Sequence, residues 1–198
     1  MSRVVVAALH QALGEHIPLR LEFYEHYLRP MRLRDGRVGV APFLAALSFL
    51  RREDGCWDPV MDTAGRYAAN WTFDALSAPQ RMLLGRLPAG WRARLALRLV
   101  ARLVNGTRRG THARRTRRPR AGHLRIEGSP FCEVRDPVQA PLCRFYAAAA
   151  EQICRRLGLE VTVSWASCRA MAGPACELEV VRRSATAAEA AVGRGLVT

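Results

Sequence analysis

Apolar residues recur at helical spacing through the first hundred positions of the chain. A helix over 40–52 is predicted by one stripe of apolar side chains, made of Val40, Phe43, Leu44, Leu47 and Leu50. The stretch MDTAGRYAANWTFDAL continues the pattern, and Ser77 followed by Pro79 predicts the start of a helix over 78–87. The segment WRARLALRLVARLV, residues 91–104, predicts a strongly basic amphipathic helix. The first half of the chain is therefore predicted to be helical.

The pattern changes to strict alternation in the second half. HLRIE at 123–127 and FCEVR at 131–135 predict a β-hairpin, with Gly-Ser-Pro as its turn. Residues 138–157 predict a long helix ending before Gly158. EVTVSW and CELEV, which follow it, each alternate as half-buried strands. Residues 105–120 show no apolar periodicity and predict a loop.

This order of elements predicts an α+β fold. A helical N-terminal half should pack on a small antiparallel sheet, with one crossing helix and with all helices on the same face. We expect one integrated domain, made of a helical half over 1–121 with a basic loop at 105–120, and a strand-strand-helix-strand-strand unit over 122–182. Residues 183–198 are expected to fray.

The positive charge is concentrated in one part of the sequence. Residues 75–126 contain fourteen arginines and no acidic residue, whereas the rest of the chain holds seventeen of each. We consider six arginines in the predicted loop as candidate anion ligands: Arg108, Arg109, Arg114, Arg115, Arg117 and Arg118. They could contact nucleic acid phosphates, an anionic membrane surface or the carboxylates of a ligand, or belong to a solvated linker. No aromatic residue lies between Trp91 and Phe131, so base stacking has no platform there and nucleic acid is the less favoured partner.

The sequence contains no apolar run of about 20 residues, the length that a membrane-spanning helix needs. Near the N-terminus, His10, Gln11 and Glu15 interrupt the apolar patch before it reaches signal-peptide length. We therefore expect a cytoplasmic protein. Its six cysteines are then expected to be thiols or metal ligands rather than disulfides.

Four of these cysteines could surround one zinc ion: Cys132, Cys143, Cys168 and Cys176. Cys154 lies eleven residues after Cys143 on the predicted helix, about 16 Å along its axis, so only one of the two can join a cluster. Packed free thiols and a redox pair are the alternatives, because buried cysteine often acts as a small apolar residue.

At these residues the sequence resembles a known family. SPFCEV, APLCRFYAAAAEQICRRLGLEVTV and CRAMAGPACELEV, between Ser129 and Val181, resemble the 4-vinyl reductase domain. This bacterial small-ligand-binding module occurs in bacteriochlorophyll biosynthesis proteins and in sensors of aromatic compounds. MDTAGRYAANWTF and QRMLLGRLPAGWRARLAL are similar to the helical half of its stand-alone members.

The resemblance implies a fold shared with TRAPP subunits, which has a ligand cavity between helices and sheet. It also implies a zinc site, since some relatives bind zinc through the equivalents of Cys143, Cys168 and Cys176, together with a glutamate three residues before Cys168. In this chain Trp165 occupies the glutamate position, so the fourth ligand would be Cys132, Glu133 or water. We select Cys132, because the predicted hairpin directs Cys132 and Val134 to the same side. The glycine usual between the last two cysteines is displaced, with Ala172 in its place and Gly173 after it.

The resemblance further implies a hydrophobic ligand, such as a tetrapyrrole or an aromatic compound, held by a carrier or sensor. Candidate cavity residues are Phe43, Leu47, Tyr67, Trp71, Phe145 and Tyr146, with core packing as the alternative role of each. No H-E-x-x-H, phosphate-loop or G-x-G-x-x-G motif occurs, and the zinc is expected to be structural. Enzymatic activity is the less favoured interpretation. An enzyme of this kind would be a vinyl reductase of tetrapyrrole and bacteriochlorophyll biosynthesis. Other expected partners are a second copy of the chain and, for a sensor, a downstream protein.

Overall fold

The computed structural model describes residues 1–28, 39–118, 121–135 and 137–183, and no side chain of 116–118 or 121. The expected frayed tail therefore lies outside the described residues, apart from Arg183. The described part begins with six helices: α1 Arg3–His16, α2 Leu21–Leu28, α3 Val40–Leu50, α4 Trp57–Asp74, α5 Ala78–Arg86 and α6 Ala89–Thr107. Strands β1 His112–Arg118 and β2 Ala121–Glu127 come next, and helix α7 Arg144–Arg156 precedes β3 Val161–Ser167 and β4 Cys176–Arg182. The predicted α+β class is confirmed.

The four strands form one antiparallel sheet in the order β1-β2-β4-β3. Alternate residues of the two central strands are buried beneath the helices, among them Leu124 paired with Leu178, and Ile126 paired with Cys176. Helix α6 packs against β1 and β2, and α7 packs against β3 and against α6. Both helices therefore cover the same face of the sheet, as predicted.

Helix α4 lies between α1 and α7 and fills the centre of the helical layer. Its Gly65 meets α7 so closely that an added Cβ would lie 2.3 Å from the Phe145 carbonyl oxygen and 2.9 Å from the Ala148 Cβ. The run of four alanines from 147 to 150 in α7 is fully buried. Small side chains on both helices thus permit the close approach of their backbones.

The predicted hairpin of 123–127 with 131–135 is wrong. Only its first half is a strand, and β2 pairs with β1 and β4, whereas Pro130–Cys132 forms a 3₁₀ turn. Proline at the start of the turn fixes φ and lacks an amide donor, which suits a turn better than a paired strand. The alternation of FCEVR was therefore misleading.

The predicted loop at 105–120 is also wrong in large part, because α6 continues to Thr107 and residues 112–118 form β1. Among the described strands, β1 lies at the end of the sheet order and pairs only with β2. A strand in this position can keep polar side chains on both faces, so it lacks the apolar alternation by which strands are recognised.

The long helix predicted over 138–157 begins later, at Arg144. Pro141 disfavours helical φ and ψ at the residue before it. The backbone amide of Val138 instead donates to the Ala170 carbonyl oxygen at 2.8 Å. The segment before α7 is therefore tied to the connection between β3 and β4.

Candidate metal centre

Four cysteines from three separate segments meet beneath the helices. Cys132 ends the 3₁₀ turn and Cys143 immediately precedes α7. Cys168 follows β3, and Cys176 is the first residue of β4. All four side chains are buried.

The sulfur atoms of this four-cysteine cluster all lie within 4.8 Å of one another. The Sγ of Cys132 is 3.2 Å from that of Cys143, 3.6 Å from that of Cys168 and 3.4 Å from that of Cys176. The Sγ atoms of Cys143 and Cys168 are 3.2 Å apart. These separations exceed an S–S bond of about 2.05 Å, and the cysteines are free thiols.

Hydrogen bonds within the cluster shift the pKa values of its thiols in opposite directions. Contacts with Cys132, Cys143 and Cys176 lower the pKa of Cys168, because neighbouring thiols donate to its sulfur. The contact with Cys132 raises the pKa of Cys143. The hydrogen bonds thus favour the thiolate of Cys168 and disfavour that of Cys143.

The connection from Cys168 to Cys176 forms a tight turn that is anchored on the Cys168 carbonyl oxygen. The backbone amides of Met171 and Gly173 both donate to the Cys168 carbonyl oxygen, at 3.0 and 3.1 Å. Between them Ala172 has φ of 62°, a left-handed conformation that favours glycine. The Arg169 amide lies 3.5 Å from the Cys176 Sγ and donates to it.

The remaining candidate ligands lie outside the cluster. The Glu133 carboxylate accepts hydrogen bonds from the guanidinium of Arg108. Trp165 lies on β3 opposite Leu178, with the Arg144 guanidinium 6.0 Å from its ring centroid. Cys154 is buried elsewhere on α7. The structure thus brings together the four cysteines selected from the sequence, although the hairpin that motivated the choice of Cys132 is absent.

Arg51 was missed as a member of this region. Its Nη2 donates to the carbonyl oxygens of Phe131 and Glu133, at 3.4 and 3.3 Å, on either side of Cys132. Burial lowers the pKa of this guanidinium, and the nearby Cys132 sulfur raises it. In the sequence Arg51 looked like a helix-terminus cation, and only the fold brings it next to a sulfur 81 positions away.

Three of the candidate cavity residues surround Phe131, the neighbour of Cys132. The Phe131 ring stacks on Phe145 with centroids 4.5 Å apart, and it meets Tyr146 at 5.2 Å and Phe43 at 6.1 Å. Leu47 is also fully buried, on the same helix as Phe43. We call Phe43, Phe131, Phe145 and Tyr146 the aromatic cluster.

Tyr67 and Trp71 form a separate pair on α4. Their ring centroids are 5.6 Å apart, and the Tyr67 hydroxyl donates to the Glu15 carboxylate. Trp71 is an exposed side chain. The six candidate cavity residues therefore do not form a single wall.

The candidate anion ligands are also dispersed. Arg108 is bound to Glu133 and donates to the Gly128 carbonyl oxygen. Arg109, Arg114 and Arg115 are exposed, and the last two are consecutive on β1, so they project to opposite faces of the sheet. Arg117 and Arg118 belong to β1, but their side chains are outside the described part.

The described helices include none that is both long and apolar enough to cross a membrane. This agrees with the sequence, which contains no apolar run of about 20 residues.

Comparison with solved structures shows the fold. An H-NOX protein from S. oneidensis in the Fe(II)NO ligation state matches with a TM-score of 0.58 and 12% identity, over 93% of this chain and all of that one. The Fe(II) unliganded H-NOX protein from K. algicida gives a TM-score of 0.59 at 10% identity, over 93% of this chain and 97% of its own. TRAPP subunit 3 from Naegleria fowleri, covalently bound to palmitic acid, gives 0.47 at 11% identity, over 82% and 94% of the two chains. No family model and no curated protein matches the sequence.

Proposed function

We propose that this chain is a small-molecule-binding domain, acting as a carrier or sensor, whose fold is stabilised by one structural zinc ion. The four-cysteine cluster carries this proposal. Four buried thiols from three segments are within reach of a single cation, and four cysteines are one of the ligand sets of structural zinc sites.

The distances between the sulfurs fit zinc. Four sulfurs at the usual Zn–S distance of about 2.3 Å would be separated by about 3.8 Å along the edges of a tetrahedron. The four separations of 3.2 to 3.6 Å are shorter than that value by about 0.2 to 0.6 Å, and every pair of sulfurs lies within 4.8 Å. A small outward movement of the sulfurs would therefore accommodate the ion.

The composition of the site favours a structural role. All four ligands are sulfur and all are buried, so no position is left for the water that catalytic zinc keeps. Four thiolates with one zinc ion carry two negative charges. The Arg51 guanidinium, hydrogen-bonded on both sides of Cys132, would offset part of that charge.

We infer that the ligand is a hydrophobic molecule, a tetrapyrrole or an aromatic compound, bound near the aromatic cluster. Support comes from the resemblance to the 4-vinyl reductase domain and from the H-NOX proteins of the same fold, one of which is described with NO on Fe(II). Phe131 links the two parts, since it packs on Phe145 and Tyr146 while the next residue is a metal ligand. Ligand binding at these rings would then alter the surroundings of the zinc ion.

The test is native mass spectrometry of the purified protein, which reports zinc and co-purified organic ligand together. We expect one zinc per chain in the wild type and none in Cys143→Ala. The same substitution at Cys154 is the matched control, because Cys154 is also buried at α7 but lies outside the cluster. Loss of zinc should lower the free energy of unfolding by about 4 kcal/mol, the contribution of a ligand present at a thousand times its Kd. Equal zinc content in the two variants would refute the site.

Thiol labelling gives a second measurement that does not depend on the ligand. Cys56 is only half-buried and should react first in the native protein. Burial raises the pKa of Cys154 to about 12, so this thiol should stay unreactive until the chain unfolds. The four cluster thiols should react in the native protein only after a chelator has been added. Their immediate reaction without chelator would contradict zinc binding.

A further inference from the structure

Helix α5 and the first turn of helix α6 present apolar side chains to solvent. Met82 is 62% exposed, Leu83 63% and Trp91 57%. Helix α5 has no buried residue and is attached to the core mainly through the half-buried Leu84. Large exposed apolar side chains grouped within ten residues are a recognised sign of an interaction site.

Helix α6 continues this surface with an outward stripe of charge. Arg94, Arg98 and Arg102 follow Trp91 at intervals of three and four residues, and all are exposed. The opposite side of the helix is buried through Ala96, Val100, Leu103 and Val104. The Arg94 guanidinium lies 5.4 Å from the centroid of the Trp91 ring. We call Met82, Leu83, Trp91, Arg94, Arg98 and Arg102 the α5–α6 surface.

Within the part of the chain that the structure describes, no ion pair neutralises the charge of this surface. No acidic residue occurs from position 75 to position 126. Among the ion pairs of the described residues, none involves Arg94, Arg98 or Arg102. Its partner must therefore supply negative charge as well as an apolar phase.

These two requirements distinguish the candidate occupants. A second copy docking through the same surface would bring arginines opposite arginines, because a two-fold interface is self-complementary. Nucleic acid would supply phosphates but no apolar phase for Met82 and Leu83. An anionic lipid bilayer supplies both, since apolar side chains enter the headgroup boundary while arginines contact lipid phosphates.

We propose that the α5–α6 surface docks on an anionic lipid bilayer. Met82 and Leu83 enter the boundary of the acyl chains, Trp91 lies at the level of the headgroups, and the three arginines bind phosphate. The proposal is independent of the zinc site and adds a location to the ligand-binding function.

The test is sedimentation with vesicles of phosphatidylcholine, with or without phosphatidylserine. We expect binding only to the vesicles that contain phosphatidylserine, and weaker binding as salt is raised. The variant Arg94→Gln/Arg98→Gln/Arg102→Gln should bind on the order of 100-fold more weakly, since each arginine near the surface contributes roughly fivefold. The variant Met82→Ser/Leu83→Ser/Trp91→Ser should bind at least about tenfold more weakly.

Matched controls carry equal changes elsewhere on the surface. Arg52→Gln/Arg135→Gln/Arg182→Gln removes the same charge from three other exposed positions, and Leu19→Ser/Val40→Ser/Val181→Ser removes three other exposed apolar side chains. Both controls should bind within about threefold of the wild type, allowing for the long-range charge effect. As an independent readout, brominated lipid should quench part of the wild-type tryptophan fluorescence, and this part should be absent in Trp91→Phe.

Four results would overturn the proposal. They are equal binding to vesicles without phosphatidylserine, wild-type binding by the arginine variant, equal losses in the controls, and conversion of a dimer into a monomer by the apolar variant without any vesicle binding. Tight salt-dependent binding to duplex DNA in place of vesicles would overturn it as well.

Discussion

Trp165 and Ala172 illustrate how single residues shape the candidate metal centre. The resemblance puts a glutamate ligand at the position of Trp165, yet this indole pairs across the sheet with Leu178, and Cys132 brings the fourth sulfur. Ala172 stands where a glycine is usual, and its φ is 62°. Ala172 thus adopts a left-handed conformation that suits glycine, and a glycine follows it at position 173.

This turn yields a prediction for the pair Ala172 and Gly173. Ala172→Gly should raise the free energy of unfolding by about 1 kcal/mol, because a left-handed conformation costs an L-residue roughly 1–2 kcal/mol and glycine loses part of that gain as chain entropy. Gly173→Ala should lower it, since an added Cβ would lie 2.8 Å from the Cys168 carbonyl oxygen. Urea denaturation at saturating zinc measures both. Destabilisation by Ala172→Gly would mean that the turn is not strained.

At the residue scale, the sequence predicted which cysteines form the cluster, but not which turns and strands bring them together. Composition and resemblance indicated Cys132, Cys143, Cys168 and Cys176. The partner Arg51 could not be found, because its hydrogen bond to the Phe131 carbonyl oxygen beside Cys132 joins chain segments 80 residues apart.

Among the secondary-structure elements, α4 and α7 make the closest packing in the helical layer. Gly65 lets the two backbones approach, and α7 in turn brings Cys143 to the cluster. Helical periodicity could predict both helices, but it could not show that a glycine on one meets alanines on the other. The arginine-rich strand β1 could not be predicted for a related reason. Its strand conformation depends on backbone pairing with β2, and its sequence shows no apolar alternation.

Helix packing gives a second prediction. Gly65→Ala should destabilise the protein by about 1–3 kcal/mol, the usual range for overpacking a tight contact. Gly85→Ala on α5 is the matched control, because nothing lies within 4 Å of its added Cβ. In an exposed helix that change should stabilise by up to about 1 kcal/mol. Thermal or urea unfolding should show that Gly65→Ala lowers the free energy of unfolding and that Gly85→Ala raises it. Equal effects of the two substitutions would contradict the close approach of α4 and α7.

For the molecule as a whole, the fold class followed from the order of elements, whereas the strand order did not. Which strands become neighbours depends on non-local pairing, so β4 between β2 and β3 could not be derived from local patterns. The likeness in fold to H-NOX structures covers 93% of the chain and so includes both the helical half and the sheet. The net charge of +14 is a property at the same scale.

That charge predicts the response of the protein to salt. Self-repulsion destabilises a compact state, so screening should raise the midpoint of thermal unfolding between about 20 and about 300 mM NaCl. Arg94→Gln/Arg98→Gln/Arg102→Gln has a lower net charge and should show a smaller rise. A falling midpoint would indicate that the ion pairs, such as that of Arg144 with Asp62, outweigh the repulsion.

The arginines of β1 have one more consequence, which concerns the solubility of the protein. The terminal strand of a sheet has backbone groups that can pair with another chain and begin aggregation. Another β1 added in antiparallel fashion would confront the strand HARRTRR with a second row of guanidinium groups. The arginines of β1, which hide its strand pattern in the sequence, therefore also disfavour the pairing between β1 strands that would start a fibre.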